Sequence, residues 1–193
     1  MIAKAAPISH GANAIRYSVD KDRADIVKTN LMPMNISPDA MYQRMMLHCK
    51  AHMPKIQRGS PMKEFVIRIE LSPSAEETKG WTLDDWRKLS DEFIRTSDSI
   101  DLSKETKRKS AKRTNCQNSQ YVVSLHRDSQ SGILHLHLDV CRIDKDGNVN
   151  SGNLAGKRAT MAANIINERR GWYSRRKSAS TTKGKSPTVV WLS

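Results

Sequence analysis

The sequence predicts an α+β domain in which an antiparallel sheet has helices packed on one of its faces. Two observations predict this fold. The segments follow the order strand, helices, strand, helix, strand, strand, helix, which differs from the regular alternation of parallel α/β folds. Residues 120–142 also fit two strands joined by a polar loop with a glycine, the pattern of an antiparallel hairpin.

The length and the net charge of the chain indicate its number of domains and the kind of partner it binds. It has 193 residues, and we predict one domain over residues 1–174 with a basic tail over 175–193. The formal net charge of +13 favours a polyanionic partner, most commonly nucleic acid. No apolar run is long enough for membrane insertion, no signal-peptide core is present, and the three cysteines lack Cys-x-x-Cys spacing. We therefore expect a cytoplasmic protein with reduced thiols.

The first part of the chain has few regular patterns. Residues 1–5 fit a short strand, and residues 9–19 fit a short helix entered from a polar turn. Residues 20–36 are charged and then irregular, so we expect no element there. A helix from Ser37 to about His52 has a serine N-cap, proline at its first position and a methionine-rich side that we interpret as core.

The middle and the end of the chain add strands and two helices. Residues 65–72 alternate apolar and polar side chains as a half-buried strand does. Thr82 caps a helix whose apolar stripe recurs at helical spacing. A last helix from about Lys157 to Arg170 ends at Gly171, and residues 188–192 fit a final strand or a docking segment.

A basic run lies immediately before the hairpin. Residues 104–113 carry six basic groups against one acid. Such a run is usually a solvated loop, but in a chain this basic it equally fits contacts with DNA phosphates. The candidate DNA-binding residues in the run are Lys107, Arg108, Lys109, Lys112 and Arg113.

Three histidines share one face of the predicted hairpin. Alternate side chains of a strand point the same way, so His135 and His137 lie opposite a row of leucines. Pairing the apolar faces of the two strands then puts His126 beside them. Neutral imidazoles suit Zn, Mn, Fe, Ni or Cu, and three ligands leave positions open for a substrate, as in catalytic sites. A structural zinc site would close with a fourth ligand, and only Cys141 stands out as one.

The hairpin also carries a longer pattern: His126-x-Asp128, His135-x-His137, and Val140-x-Arg142-Ile143-Asp144-x-Asp146-Gly147. This pattern resembles the third motif of mobilization relaxases, the HUH-type, Mob-type DNA-nicking enzymes of conjugative and mobilizable elements. Residues 14–24 resemble the first motif of that family, in which a tyrosine ends a short apolar helix. The resemblance covers roughly residues 10–172.

The resemblance implies a palm-like antiparallel sheet, as in HUH endonucleases, with a divalent metal on His126, His135 and His137. Mn²⁺ or Mg²⁺ is the expected ion, and Zn²⁺ or Ni²⁺ also fits. It implies nicking of one strand at an origin of transfer for conjugative mobilization, through a 5′-phosphotyrosyl intermediate. The implied partners are origin DNA, single-stranded or in a hairpin, together with accessory mobilization and coupling proteins. Larger relaxases carry further domains, so we expect either a nuclease-domain fragment or a short form.

Four tyrosines compete for the role of nucleophile. Tyr121 lies on the apolar side of its strand and should be core, and Tyr42 falls in the methionine-rich helix, where packing is the usual role. Tyr173, near the end of the last helix, is the least firmly excluded. Helped by the resemblance, we choose Tyr17. His10 stays open as an alternative, because some relaxases use a histidine.

Other residues are expected to support the site. A ligating histidine usually donates its second N–H to a carboxylate or carbonyl. Asp128 is the preferred carboxylate, and Asp139 and Glu70 are further candidates. Arg142 is expected to mark the sheet edge and to contact a phosphate. The chain departs from the family pattern at two positions: Leu134 stands where proline is frequent, and Cys141 stands where asparagine often precedes the arginine.

Three other functions fit parts of the sequence. A rolling-circle replication initiator shares the HUH chemistry, although a tyrosine ahead of the histidines favours a relaxase. A non-catalytic basic nucleic-acid-binding module could hold a structural metal, which the number of ligands tests. A metal-dependent hydrolase would use metal-bound water and form no covalent intermediate with DNA.

Overall fold

A computed structural model describes residues 1–9, 11–19, 22, 24–56, 62–106, 112–127 and 132–172. The predicted tail and final strand, most of the basic run and the tip of the hairpin loop lie outside these residues. The described part contains five strands and four helices. They are β1 (Ile2–Ile8), α1 (Ala12–Val19), β2 (Ala24–Asn30), α2 (Pro38–Ile56), β3 (Val66–Ser72), α3 (Leu83–Ser99), β4 (Ser119–His126), β5 (His135–Asp144) and α4 (Ala155–Arg170).

The five strands form one antiparallel sheet in the order β1-β3-β5-β4-β2. The predicted α+β class and the antiparallel sheet are therefore confirmed. The hairpin of β4 and β5 supplies two of the three inner strands. In its register His126 lies opposite His135, and Ser124 lies opposite His137. Directly opposed residues point to the same side of a sheet, so all three histidines lie on one face, which we call the histidine face.

The opposite face, the leucine face, carries the larger core. Leu136, Leu138 and Val140 of β5 are fully buried there, with Trp86 and Phe93 of α3 in the same cluster. A capping box begins α3, because Thr82 and Asp85 exchange hydrogen bonds between side chain and main chain. Gly171, in the left-handed region at φ 67°, ends α4.

Helices cover both faces of the sheet, whereas the sequence predicted them on one. Helices α3 and α4 pack on the leucine face, and α1 and α2 pack on the histidine face. Val66, Val122 and Cys141 are apolar residues of the histidine face that lie away from the histidines. These side chains need a cover, which Met41 and Met45 of α2 provide. At the histidine end of this face, His126 and His137 are buried and His135 is partly exposed.

Strand β2 was not predicted. Its sequence, Ala-Asp-Ile-Val-Lys-Thr-Asn, lacks a regular alternation of apolar and polar side chains. The register with β4 shifts between Ile26 and Lys28, so the strand contains an irregularity that interrupts its period of two. A strand at the edge of the sheet with such an irregularity leaves a weak sequence signal.

Within the residues that the structure describes, no helix combines the length and the apolar character needed to cross a bilayer.

Candidate active site

The three histidines of the hairpin form a compact cluster. One nitrogen from each ring of His126, His135 and His137 lies within 4.8 Å of the others. The rings of His126 and His137 stack with centroids 4.2 Å apart, and His135 lies 5.3 Å and 5.0 Å from them. His126 and His137 are buried, while His135 is partly exposed. The cluster therefore opens to solvent at one side, where a substrate can approach.

The cluster fits a divalent metal ion. Nitrogens that bind one ion at about 2.1 Å in tetrahedral geometry lie about 3.4 Å apart, so the rings would move together by up to about 1.4 Å around an ion. Two of the rings are also oriented by main-chain carbonyls, as ligating histidines usually are. Nε2 of His126 lies 2.8 Å from the oxygen of Ser18, and Nδ1 of His135 lies 3.2 Å from the oxygen of Ile133. A carbonyl only accepts, so each of these ring nitrogens carries the hydrogen.

The geometry favours an open site over a closed structural one. Among the described residues, the group of possible metal ligands contains these three histidines and no fourth member. Cys141, the candidate fourth ligand, contributes instead to the cluster under α2, where its Sγ lies 3.5 Å from Sγ of Cys49. Three protein ligands leave coordination positions for a substrate.

Tyr17 lies beside the histidine cluster. Its ring centroid is 5.4 Å from that of His126 and 5.7 Å from that of His137. The side chain is 43% exposed, unusual for a large ring on a helix that packs against a sheet. Tyr17 and the three histidines, chosen from separate parts of the sequence, thus lie together at one surface.

An ion pair fixes the helix that carries Tyr17. Arg68 of β3 donates Nε to Asp139 of β5 at 3.0 Å, and Asp139 is fully buried. The same guanidinium donates to the main-chain oxygen of Ala14 and, at 2.7 Å, to the hydroxyl of Ser18. It also lies 5.7 Å from the centroid of the Tyr17 ring. Arg68 therefore connects the sheet to α1 at two positions, Ala14 and Ser18, which are about one turn apart.

Burial and the ion pair act in opposite directions on Asp139. Burial raises the pKa of its carboxyl, and the charge of Arg68 together with the bonds from Arg68 and Ser18 lowers it. Burial outweighs these partners, so the pKa lies above its ordinary value. Asp139 was one of the carboxylates considered as partners of the ligands. Its carboxyl accepts hydrogen bonds from Arg68 and Ser18, and main-chain carbonyls orient His126 and His135.

The other supporting candidates differ in their positions. Glu70 lies directly across from His137 in the register of β3 and β5, on the histidine face. Ser124 lies across from His137 on the other side, in β4, and its buried hydroxyl oxygen has no hydrogen-bond partner among the described residues. Asp128, the preferred carboxylate, lies outside the described residues.

Two of the remaining nucleophile candidates, Tyr121 and Tyr42, lie among the described residues. Tyr121 is 3% exposed in the core of the leucine face, as its strand parity predicted. Tyr42 packs against the cluster between α2 and the sheet. Tyr173 and His10 lie outside the described residues.

Two of the predicted DNA-binding residues, Lys112 and Arg113, lie among the described residues. Lys112 and Arg113 are exposed and lead into the start of β4, whereas His126 ends that strand. Seven steps of about 3.3 Å place the two ends about 23 Å apart. Lys107, Arg108 and Lys109 lie outside the described residues.

Arg142 forms hydrogen bonds with main-chain groups, and its predicted phosphate contact stays a prediction. Its Nη1 donates to the main-chain oxygen of Glu64 at 3.0 Å, and its Nε lies 3.4 Å from the oxygen of Asn150. Only 15% of the side chain is exposed. These bonds join the end of β5 to two neighbouring segments.

Sequence reasoning missed the contacts that orient the site. The carbonyls of Ser18 and Ile133 come from the main chain, which every residue possesses, so no residue type signals them. The pairing of Arg68 with Asp139 had a weak signal, because both alternate with apolar residues on strands of the same sheet.

A comparison with protein families agrees with this geometry. A model of the family described as relaxase, MobA/VirD2-like, nuclease domain, matches residues 15–172, well over half of the chain. The match includes Tyr17 and all three histidines. No curated protein matches the chain.

Proposed function

Because the chain belongs to the MobA/VirD2-like relaxase family, we propose that it nicks one strand of DNA at an origin of transfer by attack of the Tyr17 hydroxyl on a phosphate. DNA nicking for mobilization is the general activity of this family. The attack on phosphorus by this tyrosine, the covalent intermediate and the metal requirement are the proposed details.

One observation carries the proposal: the Tyr17 ring lies 5.4 Å and 5.7 Å from the rings of His126 and His137. A nucleophile and a set of metal ligands on the same open surface form the minimum arrangement for phosphoryl transfer to a side chain. The tyrosine is exposed enough to reach a strand, and the bonds of Arg68 to α1 hold the helix in position.

The proposed reaction exchanges one phosphodiester for another. The Tyr17 oxygen loses its proton and forms a bond to phosphorus, while the bond from phosphorus to the 3′ oxygen of the preceding nucleotide breaks. That 3′ oxygen gains a proton and leaves as a hydroxyl, and the 5′ phosphate stays on Tyr17. Since the phosphodiester is conserved, the strand can later be rejoined by the reverse attack.

The residues of the site have distinct tasks in this proposal. A phenol has a pKa of about 10 in water, so it reacts slowly unless positive charge nearby favours its anion. His126, His135 and His137 would hold a divalent ion, which when bound supplies Lewis-acid polarisation of the phosphate. Arg68 positions α1 and adds a positive charge near the ring. Mn²⁺ or Mg²⁺ is the proposed ion, with Zn²⁺ or Ni²⁺ as the alternatives.

Binding of origin DNA, which the family implies, would draw on the net charge of +13. Lys112 and Arg113, which precede the end of β4 opposite to His126, would contact DNA that flanks the nick, and Lys107, Arg108 and Lys109 would extend this contact. We propose that Asp128 and Glu70 support the histidines. Accessory mobilization and coupling proteins would deliver the DNA in the cytoplasm.

The test is a covalent-adduct assay. The protein is incubated with supercoiled plasmid carrying the matching origin and with Mn²⁺ or Mg²⁺, and the products are separated under denaturing conditions. We expect relaxed plasmid with the protein attached at the 5′ side of the break and a free 3′-hydroxyl. Chelation with EDTA should stop the reaction. Nicking without attached protein would favour a hydrolase, and nicking that persists with EDTA would contradict the metal requirement.

A further inference from the structure

Ser124 of β4 is a polar residue buried on the histidine face. Its side chain is fully buried, and its hydroxyl oxygen has no hydrogen-bond partner among the described residues. A buried hydroxyl without a partner costs free energy, because it has lost its hydrogen bonds to water and gained none in the protein. Such a group therefore points to a partner that it meets in another state of the site.

The neighbours of Ser124 on this face narrow the choice of that partner. Val122, two residues earlier in β4, and Ile26, opposite it in β2, are apolar. His126, two residues later, has its Nε2 at 2.8 Å from a main-chain oxygen of α1, which leaves its other ring nitrogen for the proposed ion. His137, opposite Ser124 in β5, is the polar neighbour that remains.

Ser124 and His137 are close enough for a hydrogen bond between their side chains. Directly opposed residues of antiparallel strands have Cβ atoms about 4.5–5.5 Å apart. A hydroxyl oxygen and an imidazole nitrogen on two such residues can approach to about 3 Å by rotation of the side chains alone. His137 is only 3% exposed, so little water competes for this contact.

We propose that Ser124 is a positioning residue for His137. When one ring nitrogen of His137 binds the ion, the other carries a hydrogen and donates it to the Ser124 oxygen. This bond fixes the plane of the ring, as the carbonyls of Ser18 and Ile133 orient the rings of the other two histidines. The inference rests on the proposed function for the presence of an ion at the histidines.

Glu70 is the competing acceptor, because it lies opposite His137 on the other side, in β3. Glu70 is partly exposed, so water can satisfy its carboxylate whether or not His137 donates to it. The hydroxyl of Ser124 is closed off from water and gains a bond that it otherwise lacks. The difference in burial therefore assigns the ring N–H to Ser124, and the charge of Glu70 acts on the site from a distance.

The first experiment measures the affinity of the protein for Mn²⁺ by calorimetry. Ser124→Ala should weaken the affinity by about tenfold or more, the usual effect of removing a partner that orients a ligand. Ser124→Thr keeps the hydroxyl and should keep most of the affinity. Ser90→Ala is the matched control, since Ser90 is also fully buried but donates to the main-chain oxygen of Arg87 in α3, and it should leave the affinity unchanged.

The second experiment observes the ring N–H protons of the histidines by NMR with saturating Zn²⁺, which is diamagnetic. We expect a hydrogen-bonded N–H signal of His137 in the unmodified protein and in Ser124→Thr, and an upfield shift or loss of this signal in Ser124→Ala. The Nε2 proton of His126, which is donated to Ser18, is the internal reference and should not change.

A purely structural role of Ser124 is tested by urea denaturation in EDTA. Without an ion the hydroxyl makes no bond that the substitution could remove, so Ser124→Ala should be at least as stable as the unmodified protein. A clear loss of stability in EDTA would show that the hydroxyl serves the fold and would overturn the inference.

Two further results would overturn the inference alone. One is Mn²⁺ binding by Ser124→Ala that equals that of the unmodified protein. The other is a His137 signal that changes in Glu70→Gln and not in Ser124→Ala, which would make Glu70 the acceptor. An unmodified protein that bound neither Mn²⁺ nor Zn²⁺ would instead contradict the metal site of the proposed function, and this inference with it.

Discussion

Nε2 of His126 lies 2.8 Å from the main-chain oxygen of Ser18, the residue that follows Tyr17. This bond joins the hairpin that carries the histidines to the helix that carries the tyrosine, across 108 residues of sequence. The orientation of a candidate ligand and the position of the candidate nucleophile thus depend on each other. A change at either side is expected to disturb both.

The first prediction concerns the ion pair of Arg68 and Asp139. Arg68→Met should lower the free energy of unfolding by about 3 kcal/mol, because it leaves the fully buried carboxylate of Asp139 without its cation. Chemical denaturation measures the loss. The double variant with Asp139→Asn removes the uncompensated charge and should recover part of the stability.

Arg87→Met is the matched control for this pair, since Arg87 forms an ion pair with Asp84 in which both side chains are about half exposed. Exposed pairs contribute little, so the control should keep nearly the stability of the unmodified protein. An equal loss of stability in both arginine variants would contradict the prediction that the buried pair of Arg68 and Asp139 stabilises the fold more than an exposed pair does.

The second prediction concerns metal binding. His135→Ala should weaken Mn²⁺ binding, measured by calorimetry, by about tenfold or more, because one of three ligands is lost. His52→Ala is the control: His52 is partly buried on α2 and contacts His48 with centroids 4.4 Å apart, away from the cluster. Unchanged binding by His135→Ala, or an equal loss in His52→Ala, would place the ion elsewhere.

The third prediction concerns Cys141, where the resemblance of the hairpin motif led us to expect asparagine. Cys141 is fully buried among apolar side chains under α2. Cys141→Asn should therefore cost about 1–3 kcal/mol of stability, because its amide would be buried without adequate partners. Cys141→Ala should cost less in the same denaturation assay. An asparagine variant as stable as the unmodified protein would show that the amide finds partners here.

The fourth prediction concerns pH and Asp144. Burial raises the pKa of this carboxyl, but hydrogen bonds donated by Asn115 and Asn148 outweigh that effect and hold the pKa below its ordinary value. A carboxyl with a lowered pKa in the folded state stabilises the fold at pH values above its unfolded pKa, about 4, and loses this contribution as the pH falls through the folded pKa.

Asp144→Asn should consequently reduce stability more at pH 7 than at pH 3, as measured by urea denaturation at both values. Asp146→Asn is the control, because Asp146 is more than half exposed and pairs with Lys145 at the surface. An equal loss of stability for Asp144→Asn at the two pH values would contradict the lowered pKa.

The hairpin could be predicted because its signals are local. Alternating leucines and histidines fix the faces of β5, and the register then places His126 opposite His135. The short irregular edge strand β2 could not be predicted, since its pattern is interrupted where the register with β4 shifts. The helices on the histidine face could not be predicted either. The alternation of side chains assigns Val66, Val122 and Cys141 to this face, but it does not indicate which element covers them.

The candidate site also has a part that the sequence predicted and a part that it did not. Parity and resemblance identified three histidines and Tyr17, which the structure places side by side. The carbonyl of Ser18 and the bonds of Arg68 to α1 link residues that are at least 50 positions apart in the sequence, and no local pattern indicates such contacts. The assignment of Tyr17 as nucleophile stays a prediction.

The most direct test of that assignment is to identify the residue that carries DNA. The protein is reacted with an origin oligonucleotide and Mg²⁺, digested, and analysed by mass spectrometry for a peptide bearing a nucleotide. We predict the modification on Tyr17 and its complete loss in Tyr17→Phe, while Tyr42→Phe, at the half-buried tyrosine of α2, still forms the adduct. Modification of His10, Tyr42 or Tyr173, or an adduct that persists in Tyr17→Phe, would contradict the account.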